Sequence, residues 1–283
     1  MLFLLFTDSK MREVSPLPAG GPKPWLKTQR LGEWRLLDDI GSGGCGDVFL
    51  AENRDGDRRA LKVFYPDVDD RRAFDLEYNG MDISRQMSTH PNVLPIESVG
   101  RTEHCIYYTM PLADPLGSGH YEPYTLYNRI RRDNLTGKDE LTEAELLELA
   151  DAMLDALEFI HGKELIHRDV KPDNIMRVEG VWRLGDLGLI SRLRPRDFAG
   201  TPGFYPKGKK LRAGTSGDIY ALGKTLYCAA TGMKPTCYPL VPKKYDYDRC
   251  PLLRNIYRKA IEGEYRSASN MKRDVASALD QLL

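Results

Sequence analysis

One short run of the chain carries residue types that could do chemistry together. The run is His167-Arg168-Asp169-Val170-Lys171-Pro172-Asp173-Asn174, and Asp186-Leu187-Gly188 follows it. Asp169 could accept or orient a hydroxyl proton, and Lys171 could offset the charge of a phosphoryl group. The oxygens of Asn174 and Asp186 are of the kind that Mg²⁺ prefers. A chance match of so many residue types at fixed offsets is improbable. The run therefore predicts phosphoryl transfer.

A glycine-rich run precedes these residues by more than a hundred positions. It reads Gly41-x-Gly43-x-x-Gly46-x-Val48, and glycines let a backbone turn tightly and approach phosphate oxygens. The chain has 25 glycines in 283 residues, so the pattern alone leaves an ordinary turn open. A strand is expected on each side of the run. This placement disfavours dinucleotide binding, which needs a helix directly after the glycines.

A lysine on the next predicted strand could reach the same phosphates. Strand alternation points Ala60 and Lys62 to the same side, into a cleft. Glu77, on the helix predicted to follow, is the candidate carboxylate that anchors the lysine. An ordinary surface lysine is the alternative, and only the neighbouring motifs argue against it.

The elements that must hold these residues change in character along the chain. Period-two patterns and turn residues predict about five antiparallel strands at 34–40, 46–53, 58–64, 93–100 and 105–111, with one helix at 70–87. Asn53–Asp57 reads as the turn of a hairpin. Four helices are predicted after residue 111, in the ranges 142–162, 218–231, 252–262 and 271–283.

Cap residues mark the ends of these helices. Thr142-x-x-Glu145 is a capping box, and Gly162 and Gly232 are the expected C-terminal caps. Asn270 is the expected N-cap of the last helix. The prediction is an α+β fold with an irregular leader (1–30), a small sheet-rich lobe (31–110) and a larger helical lobe (111–283).

Bulk composition narrows the class of protein. Hydrophobic residues make up 41% and charged residues 29% of the chain, which excludes fibrous and wholly disordered proteins. The 41 basic residues balance the 41 acidic ones, so nothing favours nucleic acid as a partner. The five scattered cysteines indicate a reducing compartment, and we expect a cytoplasmic protein. The apolar start, residues 1–6, is too short to span a membrane.

Together the motifs resemble those of the eukaryotic-type (Hanks-type) protein kinases, over residues 36–283. The resemblance implies a bilobal kinase-like fold with the domain at about 34–283. It implies that Lys62 pairs with Glu77, that Asp169 is the catalytic base, and that Asn174 and Asp186 bind the metal. It further implies an ATP site formed by Ile40, Gly41, Gly43, Gly46, Val48, Ala60, Lys62, Met110 and Leu112.

The same resemblance assigns supporting roles. Met110 would be the gatekeeper before a hinge at residues 111–113, and Asp218 would bond the backbone of the catalytic run. An apolar column joining the lobes would consist of Met81, Ile96, His167 and Leu187.

The expected activity is phosphorylation of serine and threonine in protein substrates, including the chain itself. Lys171 and the run Gly200-Thr201-Pro202-Gly203-Phe204-Tyr205 resemble the serine/threonine branch, in which Thr201 would touch both the base and the lysine. ATP is the expected cofactor, with Mg²⁺ or Mn²⁺. The sequence does not indicate an oligomeric state.

Three positions depart from the family pattern. Leu187 replaces a phenylalanine, and Pro206-Lys207-Gly208 replaces Ala-Pro-Glu. The missing glutamate would have paired with Arg266, so Arg266 is expected to find another acceptor or reach solvent. Asp197 stands where relatives carry a phosphothreonine, and we hypothesise that it pairs with Arg168. A solvated aspartate is the alternative.

Two other functions stay open. A scaffold could use the same fold only to bind, and the altered residues 206–208 keep this alternative alive. A small-molecule phosphotransferase of related fold is less well supported, because such enzymes lack Lys171-Pro172 and the run at 200–205.

Overall fold

The computed structural model describes residues 30–43, 46–65, 81, 85–102, 105–136, 140–187, 191–192, 201–206, 214–241 and 250–282. The predictions that concern Glu77, Asp197, Gly188, Gly200 and residues 1–29 and 207–208 lie outside the described residues.

Within the described part, the small lobe is a six-stranded sheet in the order β1-β2-β3-β4-β6-β5. Every neighbouring pair is antiparallel. The strands are β1 (Arg30–Leu31), β2 (Trp34–Gly43), β3 (Gly46–Glu52), β4 (Arg58–Phe64), β5 (Ser98–Arg101) and β6 (Ile106–Met110). The prediction of about five strands missed β1, which takes Arg30 out of the expected leader.

Differences in strand bounds have local causes. The strand predicted at 93–100 begins only at Ser98, because Pro95 interrupts the run and cannot donate to a ladder. The turn predicted at Asn53–Asp57 is confirmed: the Asn53 side chain accepts hydrogen bonds from the backbone N–H groups of Asp55 (2.9 Å) and Asp57 (2.8 Å). Residues 81 and 85–87 are helical, as expected near the end of the helix predicted at 70–87.

Helices build the large lobe, and their buried residues share one core. The helices are α1 (Leu126–Thr136), α2 (Glu143–Gly162), α3 (Thr215–Thr231), α4 (Pro251–Glu262) and α5 (Ala268–Asp280). The buried residues of α2, among them Leu146, Met153 and Leu157, lie in one core cluster with residues of α3 and α4. Among the described helices, none is both long and apolar enough to cross a bilayer.

The predicted helix ends are right in some places and wrong in others. The Thr142–Glu145 capping box is present, and Gly232 ends α3 with φ 64°. Gly162, however, is the last residue of α2, and Lys163 is its C-cap. The N-cap of α5 is Ser267 and not Asn270: the Ser267 hydroxyl accepts a hydrogen bond from the Asn270 backbone N–H at 3.2 Å.

Short strands between α2 and α3 carry the catalytic run to the junction of the lobes. They are β7 (Leu165–Ile166), β8 (Ile175–Val178), β9 (Val181–Leu184) and β10 (Ser191–Arg192). The hairpin β8–β9 is fastened to the small lobe's connecting segment, since the Leu94 N–H donates to the Leu184 carbonyl at 2.9 Å. The Leu184 N–H donates in turn to the Asn92 carbonyl at 2.8 Å.

A buried lysine lies inside the large lobe. Lys224 on α3 is 7% exposed, and its Nζ donates to the Pro235 carbonyl at 2.9 Å. The ammonium lies 4.7 Å from the centre of the Tyr238 ring. Burial lowers the pKa of this lysine, because a charge is costly away from water.

Candidate active site

The backbone of the catalytic run is hydrogen-bonded to Asp218, a residue of α3. The carboxylate of Asp218 accepts hydrogen bonds from the backbone N–H groups of His167 (2.9 Å) and Arg168 (2.8 Å). It also contacts Nε2 of His161 on α2 at 2.8 Å. Asp218 is 1% exposed, so the run is tied to the most buried part of the large lobe. The bonding expected of Asp218 is confirmed.

His167 connects this run to the segment that carries Asp186. Its Nε2 lies 3.0 Å from the Gly185 carbonyl, and its Nδ1 accepts a hydrogen bond from the Asp169 N–H at 3.2 Å. Of the expected apolar column, Met81, His167 and Leu187 are buried, and Ile96 packs against the cluster that contains Met81.

Asp169 is the centre of a polar network. One carboxylate oxygen, Oδ2, lies 2.8 Å from the Lys171 Nζ and accepts a hydrogen bond from the Asn174 Nδ2 at 3.0 Å. The other, Oδ1, accepts from the Thr201 hydroxyl at 2.8 Å. The Lys171 Nζ donates to the same Thr201 oxygen at 2.8 Å. Thr201 therefore touches both partners, as expected.

Charge on Lys171 is maintained by this network. Burial alone would lower the pKa of the lysine, but the negative charge of Asp169 and the hydrogen bond to it outweigh burial and raise the pKa above its usual value. The side chain therefore stays a cation beside Asp169.

Lys62 reaches across the junction from β4. Its Nζ lies 2.6 Å from Oδ1 of Asp186, and the two side chains are only 8% and 18% exposed. Burial would raise the pKa of Asp186, but the Lys62 cation and its hydrogen bond outweigh burial and hold the pKa below its usual range. Alternation placed this lysine correctly, whereas the proposed partner Glu77 lies outside the described residues.

Asn174 and Asp186 lie on two segments that are hydrogen-bonded to each other. The Gly185 N–H donates to the Asn174 carbonyl at 2.8 Å, which ties the two segments together. The Asn174 amide nitrogen is bonded to Asp169, so its side-chain oxygen is left for a ligand. Oxygen donors from two side chains fit Mg²⁺, which keeps other positions for waters and phosphates.

The backbone at this site is strained. Asp186 has a φ of 57° and Arg168 a φ of 73°, values that non-glycine residues adopt at a cost of about 1–3 kcal/mol. The hydrogen bonds that Asp218 and His167 make hold both segments in place. Strain held by surrounding structure is typical of functional sites.

Apolar residues expected in the ATP site lie together beside the polar network. Ala60 and Met110 are paired across β4 and β6 and belong to one cluster, against which the partly buried Ile40, Val48 and Leu112 pack. The glycines flank this cluster at the β2–β3 hairpin, with Gly41 opposite Val48 and Gly43 opposite Gly46. Gly46 has φ 118°, and a Cβ there would lie 2.1 Å from the Val63 carbonyl oxygen.

Sequence reasoning missed two residues of the site. Met176 on β8 packs against the same apolar cluster from the large lobe, and its position two residues after Asn174 was the available signal. A Cβ at Gly185 would lie 3.0 Å from the Met176 Cε and 3.1 Å from the Leu94 Cδ2. A larger residue one position before Asp186 would therefore require Met176 and Leu94 to shift by a few tenths of an ångström.

The departures from the family pattern have partly visible outcomes. Leu187 is buried at 3% exposure, as an apolar replacement should be. Arg266 is exposed, so the prediction that it reaches solvent is confirmed. The Nε of Arg168 is buried and has no hydrogen-bond partner among the described residues. Its proposed partner Asp197 stays a prediction.

A sheet lobe and a helical lobe, with a lysine, a carboxylate network and an apolar cluster at their junction, define a protein-kinase-like molecule. The chain belongs to the protein kinase family: the model of the protein kinase domain matches residues 34–283.

Several known protein kinases are similar to the chain, with sequence identities of 26–27%. The mouse (Mus musculus) sperm motility kinase 3A is 27% identical over 98% of this chain and 49% of its own length. Sucrose non-fermenting protein kinase 1 of Fusarium virguliforme is 26% identical over 94% of the chain and 36% of its own length. Serine/threonine-protein kinase PrkC of Bacillus subtilis is 27% identical over 72% of the chain and 31% of its own length. The chain thus spans half or less of the length of these relatives.

Proposed function

We propose that this chain transfers the γ-phosphoryl group of ATP to serine and threonine hydroxyls of proteins. The observation that carries the proposal is a pair of side-chain networks at the junction of the lobes, Lys62–Asp186 and Asn174–Asp169–Lys171–Thr201. A protein that only binds nucleotide has no need for an aspartate that is bonded to both a lysine and a threonine. Kinases of serine and threonine among the relatives support the choice of substrate.

Each residue has a defined task in this proposal. Asp169 orients the substrate hydroxyl and accepts its proton, and Lys171 offsets the negative charge beside it. Lys62 holds phosphate oxygens, and the oxygens of Asn174 and Asp186 hold the metal. Bound ATP with Mg²⁺ supplies the phosphoryl group and neutralises part of its charge. The cluster of Ala60, Met110 and Met176 encloses the base.

Radiolabel transfer from ATP to a generic protein tests the proposal. Asp169→Asn should lower kcat by about 10²–10⁴-fold, with nucleotide affinity nearly unchanged, and Asp280→Asn on an exposed helix end is the matched control. Acid hydrolysis of the labelled protein should yield phosphoserine and phosphothreonine. Nucleotide binding without transfer by the unmodified chain would favour the scaffold, and transfer only to small molecules would favour the third alternative.

Finer parts of the proposal need their own measurements. Mass spectrometry after incubation with ATP and metal would locate phosphate on the chain itself, for which Ser191, Thr201 and Thr215 are candidates. Parallel titrations with Mg²⁺ and Mn²⁺ would identify the preferred ion. The cytoplasm stays a prediction from the cysteine pattern.

A further inference from the structure

The segment between the hinge and α1 folds into a compact loop, residues 115–123. Pro115 and Pro123 form an antiparallel bridge, and the Leu116 N–H donates to the Glu122 carbonyl at 2.9 Å. Glu122 also forms an ion pair with Arg131 of α1 at 2.5 Å. The loop therefore has a defined position against the large lobe.

This loop directs one hydroxyl to the hinge. The Tyr121 hydroxyl donates a hydrogen bond to the Ala113 carbonyl at 2.9 Å. Burial, with a further contribution from the charge of Asp114, raises the pKa of the phenol to about 12. Tyr121 therefore remains a protonated donor at physiological pH.

The backbone that receives this hydrogen bond is fixed on its other side. The Asp114 N–H donates to the Arg177 carbonyl at 2.7 Å. The Asp114 carboxylate accepts from the N–H groups of Glu179 (2.8 Å) and Gly180 (2.9 Å). Because Asp114 is anchored to the β8–β9 turn, the neighbouring Ala113 carbonyl cannot easily turn to another donor.

The hinge offers few groups to a purine base. Pro111 has no N–H, and among the described residues the Ala113 N–H makes no hydrogen bond. The six-position amine of adenine is a donor and its N1 is an acceptor. The Pro111 carbonyl and the Ala113 N–H match this pair in order. Leu112 between them packs against the apolar cluster.

Guanine presents the opposite polarity, with an acceptor at position six and a donor at N1. In the pose that suits adenine, the guanine oxygen would face the Pro111 carbonyl, an acceptor against an acceptor. The guanine N1–H would face the Ala113 N–H, a donor against a donor. Guanine is matched only one step further along the chain, where the Ala113 N–H faces its oxygen and the Ala113 carbonyl faces its N1–H. That carbonyl already accepts a hydrogen bond from Tyr121, so the guanine N1–H would have to share it or displace the phenol.

We propose that Tyr121 is a specificity-determining residue that makes the site select ATP over GTP. The inference rests on the proposed function, because it takes the hinge to be the site of the base. A merely structural role for Tyr121 would change the affinities for both nucleotides together, whereas a role in selection changes their ratio.

Titration calorimetry of the full chain with ATP and with GTP, each with Mg²⁺, tests the inference. Tyr121→Phe removes only the hydroxyl and should lower the ratio of ATP affinity to GTP affinity by about tenfold, the value of one hydrogen bond. Affinity for ATP should change by less than about threefold. Tyr124→Phe is the matched control, since the Tyr124 ring packs on Trp182 at 5.5 Å and its hydroxyl makes no hydrogen bond among the described residues. The control should keep the unmodified ratio.

Three outcomes would overturn the inference: equal affinity of the unmodified chain for both nucleotides, no binding of either nucleotide, or an unchanged ratio in Tyr121→Phe. The readout is binding, so it does not depend on catalysis. A chain that selects ATP through Tyr121 but transfers no phosphate would refute the proposed activity and leave this inference standing.

Discussion

At the scale of single residues, the Thr201 hydroxyl is bonded to both members of the Asp169–Lys171 ion pair. It donates to Asp169 at 2.8 Å and accepts from Lys171 at 2.8 Å. Hydrogen bonds to charged groups contribute more than neutral ones, about 1.5–3 kcal/mol each. One small side chain therefore helps to fix the positions of both the base and the cation, beside their direct contact.

Thr201→Val should lower kcat by about 10–100-fold, because the isosteric methyl group can neither donate to Asp169 nor accept from Lys171. Thr201→Ser keeps the hydroxyl and should stay within about threefold of the unmodified chain. Steady-state kinetics on a protein substrate, with ATP saturating, would measure both. Equal rates for the valine and serine variants would contradict a role for this hydroxyl.

The polar residues of the site could be predicted because each belongs to a run with fixed offsets. Lys62, Asp169, Lys171, Asn174 and Asp186 all lie where the sequence indicates. Met176, Gly185 and Tyr121 were missed because their roles depend on contacts between segments far apart in the chain. A methionine, a glycine or a tyrosine carries no chemical signal by itself.

At the scale of elements, local signals predicted some boundaries and not others. The capping box of α2 involves residues three apart and needs no distant contact. The start of α5 offered two suitable residues, Ser267 and Asn270, and cap preferences do not separate serine from asparagine. The interruption of the strand by Pro95 was readable from the sequence and was overlooked.

Ser267→Ala should lower the free energy of unfolding by about 1 kcal/mol, because the N–H of Asn270 loses its side-chain acceptor. Asn270→Ala, three residues later, should change it by less than about 0.5 kcal/mol. Urea unfolding followed by circular dichroism would compare the two variants. A larger loss for Asn270→Ala would return the cap to the position that the sequence suggested.

At the scale of the whole molecule, α3 is the part to which the catalytic run is attached. Asp218 accepts from two backbone N–H groups and contacts His161, and α3 shares one core with α2 and α4. Leaving a buried N–H without a partner costs about 1–3 kcal/mol. The Asp218 carboxylate therefore contributes both to the stability of the lobe and to the conformation of the catalytic run.

Asp218→Ala should therefore lower the free energy of unfolding by about 3 kcal/mol and should also reduce kcat. The matched control, Asp280→Ala on the exposed end of α5, should stay within about 0.5 kcal/mol. Chemical denaturation and kinetics on the same preparations would measure both effects. An Asp218→Ala protein with unchanged stability would mean that other contacts hold the run.

The buried amine of Lys224 can serve as a chemical probe of local opening in the large lobe. While the lobe is closed, the Lys224 amine is shielded from reagents, because the residue is 7% exposed and its Nζ donates to the Pro235 carbonyl. We expect an amine-acylating compound to reach Lys224 when the turn Pro235–Cys237, whose Pro235 carbonyl the amine contacts, separates from α3. A Cβ on Gly203 would lie 3.0 Å from the Pro235 side chain, so this turn also supports the segment after Thr201. The rate of Lys224 acylation would therefore measure how often the turn Pro235–Cys237 separates from α3.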